Sequence, residues 1–355
     1  MSSGAGAGST AVDPSQESVE PRFRPDHELS ASELVEVLNH CAGLAAASAH
    51  RMMVVASLIH DEREMDYAQR RAETHSGELD SIEAFEHLSA RVAAGENPYE
   101  QFGPKRVRDT PISEQAILGA AMGAAMTGLK PIAEIMFSDF FAVCFDYIAN
   151  EFPKSRYMTN GQTKCPLVVR TGNGAGSRFG AQHSQSVENW CMMIPGLKVV
   201  APSSPVDVIG LLAASVRDPD PVIFLEHKSL YATKGEVPDG EILDKLGTAK
   251  ILRPGKDATI LALALMVPRA LAAAEKLAAE HGIDCEVIDV RSLVPLDTQT
   301  ILGSVAKTHR AFSVEENPRL CGWGAEIMSI IADEAFYDLD GPLVRITTPH
   351  CPLPA

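Results

Sequence analysis

One acidic residue stands at the start of a segment built almost wholly from small residues. The stretch DTPISEQAILGAAMGAAMTGLKP places Glu114 directly before a run of Ala, Gly and Met. Pro111 should end an extended segment and Ser113 is an expected N-cap, so Glu114 falls in the first helical turn. The helix dipole favours an acid there by about 0.3–1 kcal/mol, which makes a structural role one interpretation. The other interpretation is that Glu114 takes part in chemistry. Each interior Gly costs a helix about 1 kcal/mol relative to Ala, and this cost makes sense if another backbone or a flat ligand must approach the helix closely.

A second stretch with chemical potential is RTGNGAGSRFGAQHSQS, residues 170–186. It follows the apolar run PLVVR, and it holds four Gly before His183, which Gln182 and Ser184 flank. A lone His is often a structural residue. The Gly-rich loop at the end of a strand favours a functional role, because open α/β sheets bind ligands at the carboxyl ends of their strands. A neutral imidazole can hydrogen-bond or protonate a substrate carbonyl near neutral pH.

Both stretches lie in a regular alternation of strands and helices. Strand-like runs PIAEIM, PLVVRT, LKVVAP and PVIFLEH alternate with helical runs at 113–128, 138–158, 184–194 and 205–217. Later strands ATILALAL, CEVIDVRSL, AFSVEE and LVRITT alternate with helices at 268–281, 298–308 and 324–337. The alternation predicts two successive three-layer α/β domains with mainly parallel sheets. We place them at 98–228 and 248–355, with a connector at 229–247.

The first part of the chain has a different pattern. Residues 1–27 are small, polar and contain Pro, which predicts a disordered tail. Residues 28–97 favour helices, beginning with a capping box formed by Ser30 and Glu33. The run MMVVASLI is compatible with either a buried strand or the middle of a helix, and periodicity alone does not separate the two.

Composition excludes several classes of function. The net charge of −16 argues against nucleic acid or an anionic membrane surface as a partner. Seven cysteines without a C-x-x-C pair fit a reducing compartment and no structural zinc. No apolar run reaches membrane-spanning length, and the N-terminus lacks an apolar signal core. We therefore expect a cytoplasmic protein.

Long motifs in the chain carry a family resemblance. DTPISE, GAAMGAAMTGLKPIAEIMFSDF, NGAGSRFGAQHSQS, PGLKVVAPSSP and VRDPDPVIFLEHKSLY resemble the beta subunit of two-subunit 2-oxo acid dehydrogenase E1 components. These are the thiamine-diphosphate-dependent pyruvate, branched-chain oxo acid and acetoin dehydrogenases. The similarity runs from about Tyr99 to Leu353. It implies a transketolase-type pyrimidine-binding domain followed by a transketolase C-terminal domain.

The resemblance also implies roles for individual residues. Glu114 matches the glutamate that hydrogen-bonds the aminopyrimidine ring and promotes its imino tautomer, which removes the C2 proton of the thiazolium. Phe140 matches the aromatic residue packed on the pyrimidine, and Ile112 and Met136 would line its pocket. His183 matches the active-site histidine beside the substrate, and Gln182 is taken as part of the cofactor site. The family's potassium site, present in some members, would match the following five residues: Leu167, Ser215, Val216, Asp218 and Asp220. For the two acids a polar turn between helix and strand is an equal alternative.

The chain lacks the other half of such a site. The diphosphate and Mg²⁺ end of the cofactor requires, in the family, a G-D-G followed by N-N, and neither motif occurs here. The resemblance therefore implies an alpha subunit that holds Mg²⁺, an α2β2 heterotetramer, and a lipoyl-bearing E2 acyltransferase as acceptor. The substrate would be a small 2-oxo acid or acetoin.

Two other functions stay open at this point. One is half of a split transketolase-like transferase without a lipoyl acceptor. The other is a diverged, non-catalytic partner of an alpha subunit. The family's Leu-Gly-Glu-Asp-like run has no clear match in residues 1–97, and its last stretch beyond TTPHCPLPA has no match. Subunit assembly and E2 docking are therefore less firmly implied than the pyrimidine site.

Overall fold

The computed structural model of the protein describes residues 52–55 by their backbone, and residues 102–240 and 242–353. The predicted tail at 1–27, the capping box at Ser30 and most of the helical segment at 28–97 lie outside these residues. Within that segment, Met52–Val55 forms a strand, β1, so the strand alternative for the start of MMVVASLI is confirmed.

The first sheet has seven strands. After β1 its members in chain order are β2 Val107–Thr110, β3 Ile132–Phe137, β4 Val168–Asn173, β5 Lys198–Val200, β6 Val222–His227 and β10 Ser292–Val294. Their spatial order is β10-β5-β6-β4-β3-β1-β2. The four central strands β5, β6, β4 and β3 are parallel, whereas β1 is antiparallel to β2 and β3, and β10 is antiparallel to β5. The carboxyl ends of β3, β4 and β6 therefore meet at one edge.

Helices connect and cover these strands. They are α1 Glu114–Met126, α2 Phe141–Asp146, α3 Phe152–Met158, α4 Glu188–Met192 and α5 Pro205–Arg217, and a π-helical turn joins α2 to α3 at Tyr147–Glu151. Short 3₁₀ turns at Ser138–Phe140, Ala181–His183 and Lys228–Leu230 follow strands β3, β4 and β6. Helix α5 begins with Pro205 in its first turn and with the Ser204 hydroxyl accepting the Asp207 N–H at 3.2 Å.

The second sheet has five strands. They are β7 Lys250–Arg253, β8 Ala258–Ala262, β9 Cys285–Asp289, β11 Ala311–Pro318 and β12 Val344–Thr348, in the order β12-β11-β8-β9-β7. Only β7 runs antiparallel to its neighbour within this sheet. The helices are α6 Met266–His281, α7 Thr298–Thr308 and α8 Trp323–Glu334. Every residue of β8 and β9 is buried, as parallel strands covered on both faces require. The prediction of two α/β sheets is thus confirmed.

Several predicted elements differ from the structure. The predicted helix at 138–158 is divided into a 3₁₀ turn, α2, a π-helical turn and α3, and the run ATILALAL is a strand only as far as Ala262. The run CEVIDVRSL is not one strand: β9 ends at Asp289, Arg291 has a φ of 52°, and β10 then joins the first sheet. The predicted helix at 184–194 is shorter, spanning Glu188–Met192. Its first residues are held in other contacts, because Asp139 accepts the Gln185 N–H and Asn173 accepts the Val187 N–H.

One continuous apolar core joins the two sheets. It contains residues of the first sheet such as Val169 and Ile223 together with Leu261, Val290 and Trp323 from the second half of the chain. The crossing strand β10 contributes Leu293 to the same core. In the part of the chain that the structure describes, no helix combines the length and apolar character needed to cross a membrane.

Candidate functional site

Glu114 is the first residue of α1 and is buried with 9% of its surface exposed. Ser113 occupies the N-cap position as predicted, but its side chain makes no capping hydrogen bond. Helix α1 packs against α2. Burial, together with the charge of Glu114, raises the pKa of the Cys144 thiol on α2 to about 12. Glu114 therefore faces α2 at the interior of the domain and is not a solvated surface acid.

A cavity of about 700 Å³ runs along the small-residue side of α1. Its lining includes Gly119, Gly123 and Met122 from α1, and Asp146 and Glu151 from the facing helical run. The two glycines have different surroundings. A Cβ on Gly119 would lie 2.7 Å from the Tyr147 hydroxyl, whereas one on Gly123 would meet nothing within 4 Å. Within the chain, a side chain therefore approaches the helix closely at Gly119, whereas Gly123 faces open space.

His183 lies in a cluster of aromatic rings. Its imidazole packs edge-on against Phe137 and Phe140, with ring centroids 4.8 Å and 5.2 Å away. Phe137 also contacts Phe140 and Phe179, at 6.1 Å and 5.9 Å. The sequence-predicted residues Phe140 and His183 are therefore brought together at the carboxyl edge of the first sheet.

The other predicted pocket residues are more dispersed. Met136 is half-buried at the end of β3 and packs against the same core as Phe140. Ile112 is 41% exposed before α1, and Gln182 is exposed on the loop beside His183.

The Gly-rich loop is packed closely against the last residue of β6 and the residues that follow it. Gly174 and Gly176 have φ values of 80° and 110°, in the left-handed region that other residues avoid. A Cβ on Gly174 would collide with the His227 ring, and one on Gly176 with the Ser229 hydroxyl. Both glycines are therefore required by backbone conformation and by space.

Below the loop, three side chains form a buried group that we call the glutamate–asparagine cluster: Asn173, Glu188 and Asn317. The two amide nitrogens each donate to a Glu188 carboxylate oxygen at 2.7 Å. The Asn173 oxygen accepts from the Ser138 hydroxyl at 2.8 Å and from the Val187 N–H at 3.2 Å. Burial raises the pKa of Glu188 to about 7, and the nearby Glu316 adds to the rise. The cluster connects β4 and α4 of the first α/β domain with β11 of the second α/β domain.

A second contact between the halves joins His227 and Glu316. The His227 Nε2 lies 2.6 Å from a Glu316 carboxylate oxygen, and the other oxygen accepts the Ala175 N–H at 2.6 Å. Burial acts to raise the pKa of Glu316, but the hydrogen bond and charge of His227 outweigh it and hold the pKa below its usual value. Glu316 therefore acts as an ionised acceptor that fixes the start of the Gly-rich loop.

The residues predicted for a potassium site already have partners within the chain. The Lys198 ammonium lies 2.5 Å and 2.6 Å from the two Asp218 oxygens, and Asp220 accepts from Arg156 at 2.7 Å. The Ser215 hydroxyl donates to the Leu211 carbonyl, and the Leu167 carbonyl accepts the Val222 N–H. A potassium ion bound by the Asp218 carboxylate would have to displace Lys198, and the potassium site stays a prediction. Among the described residues there is also no group of three His, Cys, Asp or Glu side chains arranged to bind a metal.

Comparison with known proteins identifies the family. Residues 68–234 match the family described as transketolase, pyrimidine binding domain, and residues 247–355 match transketolase, C-terminal domain. The chain is 50% identical over 256 residues to the beta subunit of acetoin:2,6-dichlorophenolindophenol oxidoreductase of Bacillus subtilis (strain 168), covering 72% of this chain and 74% of that protein. It is 49% identical over 255 residues to the pyruvate dehydrogenase E1 component subunit beta of Rickettsia felis, covering 72% and 78%.

The chain belongs to the transketolase-type E1 beta subunit family. The fold agrees with this, since a solved split-gene transketolase, described as an inactive beta4 tetramer, matches 68% of this chain and 73% of that chain. Its TM-score is 0.56 and its sequence identity 26%. The resemblance inferred from the quoted motifs is therefore confirmed, and Glu114, Phe140 and His183 all lie within the pyrimidine-binding match.

Several residues of this E1 beta chain's candidate site were missed by sequence reasoning. They are Phe137 and the polar residues that hold the Gly-rich loop in place: Asn173, Glu188, His227, Lys228, Glu316 and Asn317. Most of them lie at the carboxyl end of a parallel strand, as in VIFLEHK and AFSVEEN. Polar residues that terminate an apolar strand were thus the signal that would have found them.

Proposed function

We propose that this chain, paired with an alpha subunit in an α2β2 heterotetramer, decarboxylates a 2-oxo acid or cleaves acetoin and transfers the acyl group to a lipoyl domain of an E2 acyltransferase. Two relatives near 50% identity support this, one named for acetoin and one for pyruvate. We expect the complex in the cytoplasm. The observation that carries the proposal is the buried acid at the start of α1 together with the aromatic cluster around His183 in one family-matched domain.

Thiamine diphosphate, when bound, would supply the electron sink for breaking the bond next to the substrate carbonyl. Glu114 is the group of this chain suited to hydrogen-bond a ring nitrogen and to exchange a proton with it, since it is buried beside α2. Phe140 would pack on the pyrimidine, and Met136, Ile112 and Gln182 would complete this chain's share of the pocket. His183 would donate a proton or hydrogen bond to the substrate oxygen.

The residues described here fit the pyrimidine half of such a cofactor and not its diphosphate half. An acid–ring hydrogen bond and aromatic packing contribute a few kcal/mol at most, on the order of 1–3 together. Immobilising a ligand costs a comparable or larger amount, about 4 kcal/mol or more. Most affinity must then come from Mg²⁺ and diphosphate contacts on the alpha subunit. No step is assigned to potassium, because Lys198 already neutralises Asp218.

A second candidate function is half of a split transketolase-like transferase without a lipoyl acceptor. The split-gene transketolase match favours it, although at 26% identity this is a more distant relative than the dehydrogenase subunits. A third candidate, a non-catalytic partner, would keep subunit pairing without turnover.

The test is reconstitution with a GDG-bearing alpha subunit. We expect reductive acylation of a lipoyl domain with pyruvate, a branched-chain 2-oxo acid or acetoin, and the substrate profile then identifies which. Ketol transfer between sugar phosphates without acylation would favour the transketolase candidate, and stable pairing without either activity the third.

The purified chain is titrated with Mg²⁺ and thiamine diphosphate by calorimetry in parallel. We expect weak or no binding until the alpha subunit is added. Micromolar binding by the chain alone would contradict the shared-site proposal.

A further inference from the structure

The residue that follows β6, Lys228, reaches back to the candidate catalytic histidine. Its ammonium donates to the His183 carbonyl oxygen at 2.7 Å. The same nitrogen lies 5.0 Å from the centroid of the Phe137 ring, within the range of a cation–π contact. Phe137 in turn packs edge-on against the His183 imidazole. Lys228 therefore contacts both the backbone of His183 and the aromatic ring that supports its side chain.

The partners of Lys228 are unlike those of Lys198 and Lys250, two other half-buried lysines. Lys198 and Lys250 each lie 2.5 Å from an aspartate oxygen. Lys228 forms no ion pair with any carboxylate of the described residues, and its partners there are a carbonyl and an aromatic face. Burial lowers the pKa of Lys228, while the more distant charges of Asp139 and Glu316 oppose this. Such contacts fix the position of a group without neutralising the ammonium.

The neighbours of Lys228 hold the opposite end of the same loop. Ser229 donates from its hydroxyl to the Ala175 carbonyl at 3.0 Å. The Ala175 N–H is held by Glu316, which also pairs with His227. Three consecutive residues, His227 to Ser229, thus secure the loop at Ala175 and at His183. Between these points Gly176, Arg178, Phe179, Ala181 and Gln182 are exposed.

Few other hydrogen bonds restrain His183 itself. Its N–H donates to Gly180 at 3.2 Å, and the Ser184 hydroxyl donates to the same carbonyl at 2.8 Å, so both bonds stay within the loop. Among the described residues, the contact from Lys228 is the one hydrogen bond to His183 that comes from outside the loop. A displacement of about 1 Å at a catalytic group is sufficient to cost on the order of 10²-fold in rate.

We propose that Lys228 is a positioning residue that fixes His183 against β6 through its carbonyl and through Phe137. The inference rests on the proposed function for its effect on catalysis, but not for its effect on the loop. Lys228 acts through His183 and Phe137 and has no assigned contact with substrate.

The first test is limited proteolysis of the full chain by trypsin at Arg178, which is exposed in the loop. In Lys228→Met, loss of one charge-assisted hydrogen bond should release the loop and speed cleavage after Arg178 by about tenfold. Lys154→Met is the matched control, because the Lys154 ammonium donates to the Pro195 carbonyl at 3.5 Å, far from the loop in sequence. It should leave the rate unchanged.

The second test is turnover of the reconstituted complex. Lys228→Met should lower kcat about 10–100-fold and change KM less than threefold, with C2-proton exchange of the bound cofactor unchanged. An unchanged cleavage rate at Arg178 would overturn the proposal, as would a loop cut faster with kcat unaltered. If the wild-type complex turns over no 2-oxo acid or acetoin, the proposed function fails, and the proteolysis result still decides whether Lys228 holds the loop.

Discussion

Two buried polar clusters join the halves of the molecule, and their charges are balanced in different ways. In the glutamate–asparagine cluster, Glu188 is bound by two amide groups and by no cation. In the other, which we call the arginine cluster (Asp207, Asp244 and Arg291), one guanidinium donates to both acids, at 2.9 Å to Asp207 and 2.5 Å to Asp244. The first cluster lies under the Gly-rich loop, and the second lies where β9 gives way to the crossing strand β10.

The difference appears in the pKa values of the acids. Burial acts to raise the pKa of Asp244, but the hydrogen bonds and charge of Arg291 outweigh it and hold that pKa below its usual value. Among the described residues, Glu188 has no cation in contact with its carboxylate, so burial raises its pKa to about 7. Asp244 in the arginine cluster therefore keeps its charge across the physiological range, whereas Glu188 beside the Gly-rich loop changes charge within it.

This contrast separates residues that hold the fold from residues that serve the site. Arg291 is buried, has a φ of 52° and also donates to the Thr248 carbonyl at 3.0 Å, so it links α5, the connector and β10. Its removal should destabilise the fold. Removal of Glu114 or His183 should leave the fold intact and affect chemistry.

The largest expected effect is on Glu114. Glu114→Gln should preserve folding and subunit pairing and slow C2-proton exchange of bound thiamine diphosphate by about 10²–10⁴, because an amide cannot exchange a proton with the ring nitrogen. Hydrogen–deuterium exchange of the reconstituted complex measures this. The matched control is Glu326→Gln, which alters the first-turn acid of α8. Unchanged exchange in Glu114→Gln would return Glu114 to a helix-dipole role.

The next effect tests the arginine cluster. Arg291→Met should lower the free energy of unfolding by about 2–4 kcal/mol, because Asp207 and Asp244 would lose the guanidinium that both contact and would keep only Lys250, at 2.5 Å and 3.3 Å. Met at the same left-handed φ bears a similar backbone strain, so strain largely cancels. Urea unfolding measures the change, and Lys276→Met, which breaks only an exposed pair with Glu280, should cost less than about 1 kcal/mol. Equal costs would show that the cluster is not a structural support.

His183→Ala tests the site beside the other cluster. We expect kcat to fall about 10²-fold, with cofactor affinity changed less than threefold, because His183 lies at the end of a Gly-rich loop that follows a strand, where substrate is expected to bind. His281→Ala, at an exposed helix end, is the control. A variant that binds cofactor poorly but turns over normally at saturating cofactor would assign His183 to cofactor binding.

The sequence was sufficient for the fold because strand and helix periods alternate clearly. It also predicted roles for Glu114 and His183, since an acid before a small-residue helix and a His after a Gly-rich loop are local signals, and these roles stay predictions. The strand β10 was not predictable in this way. Nothing local distinguishes Ser292–Val294 from a continuation of β9, and only the turn at Arg291 sends it to the first sheet.

The polar residues that hold the Gly-rich loop in place were not predicted, for a related reason. Lys228, Glu316 and Asn317 act through partners 45 to 141 residues away in the chain. Such pairings depend on which strands become neighbours, which sequence spacing does not encode. The contact of Lys198 with Asp218, 20 residues later in the chain, was not predictable for the same reason.

The remaining prediction concerns the pH dependence of the glutamate–asparagine cluster. A buried acid whose pKa rises from 4.5 to about 7 on folding stabilises the folded state in full below pH 4.5, and this contribution is lost as the pH rises through 7. The groups that face it are Glu316, His227 and the Cys191 thiol. Glu188→Gln keeps the shape and removes the titration.

The free energy of unfolding of the wild type relative to Glu188→Gln should therefore fall between pH 5 and pH 8, by up to about 1.4 kcal/mol per pH unit. Protonated Glu188 needs an acceptor for its proton. The Asn317 side-chain oxygen, which has no hydrogen-bond partner among the described residues, would fill that role if the amide rotated. Urea unfolding of both proteins at four pH values measures the difference. A difference independent of pH would mean that Glu188 keeps one charge state throughout, and the contrast with the arginine cluster would then lie only in its partners.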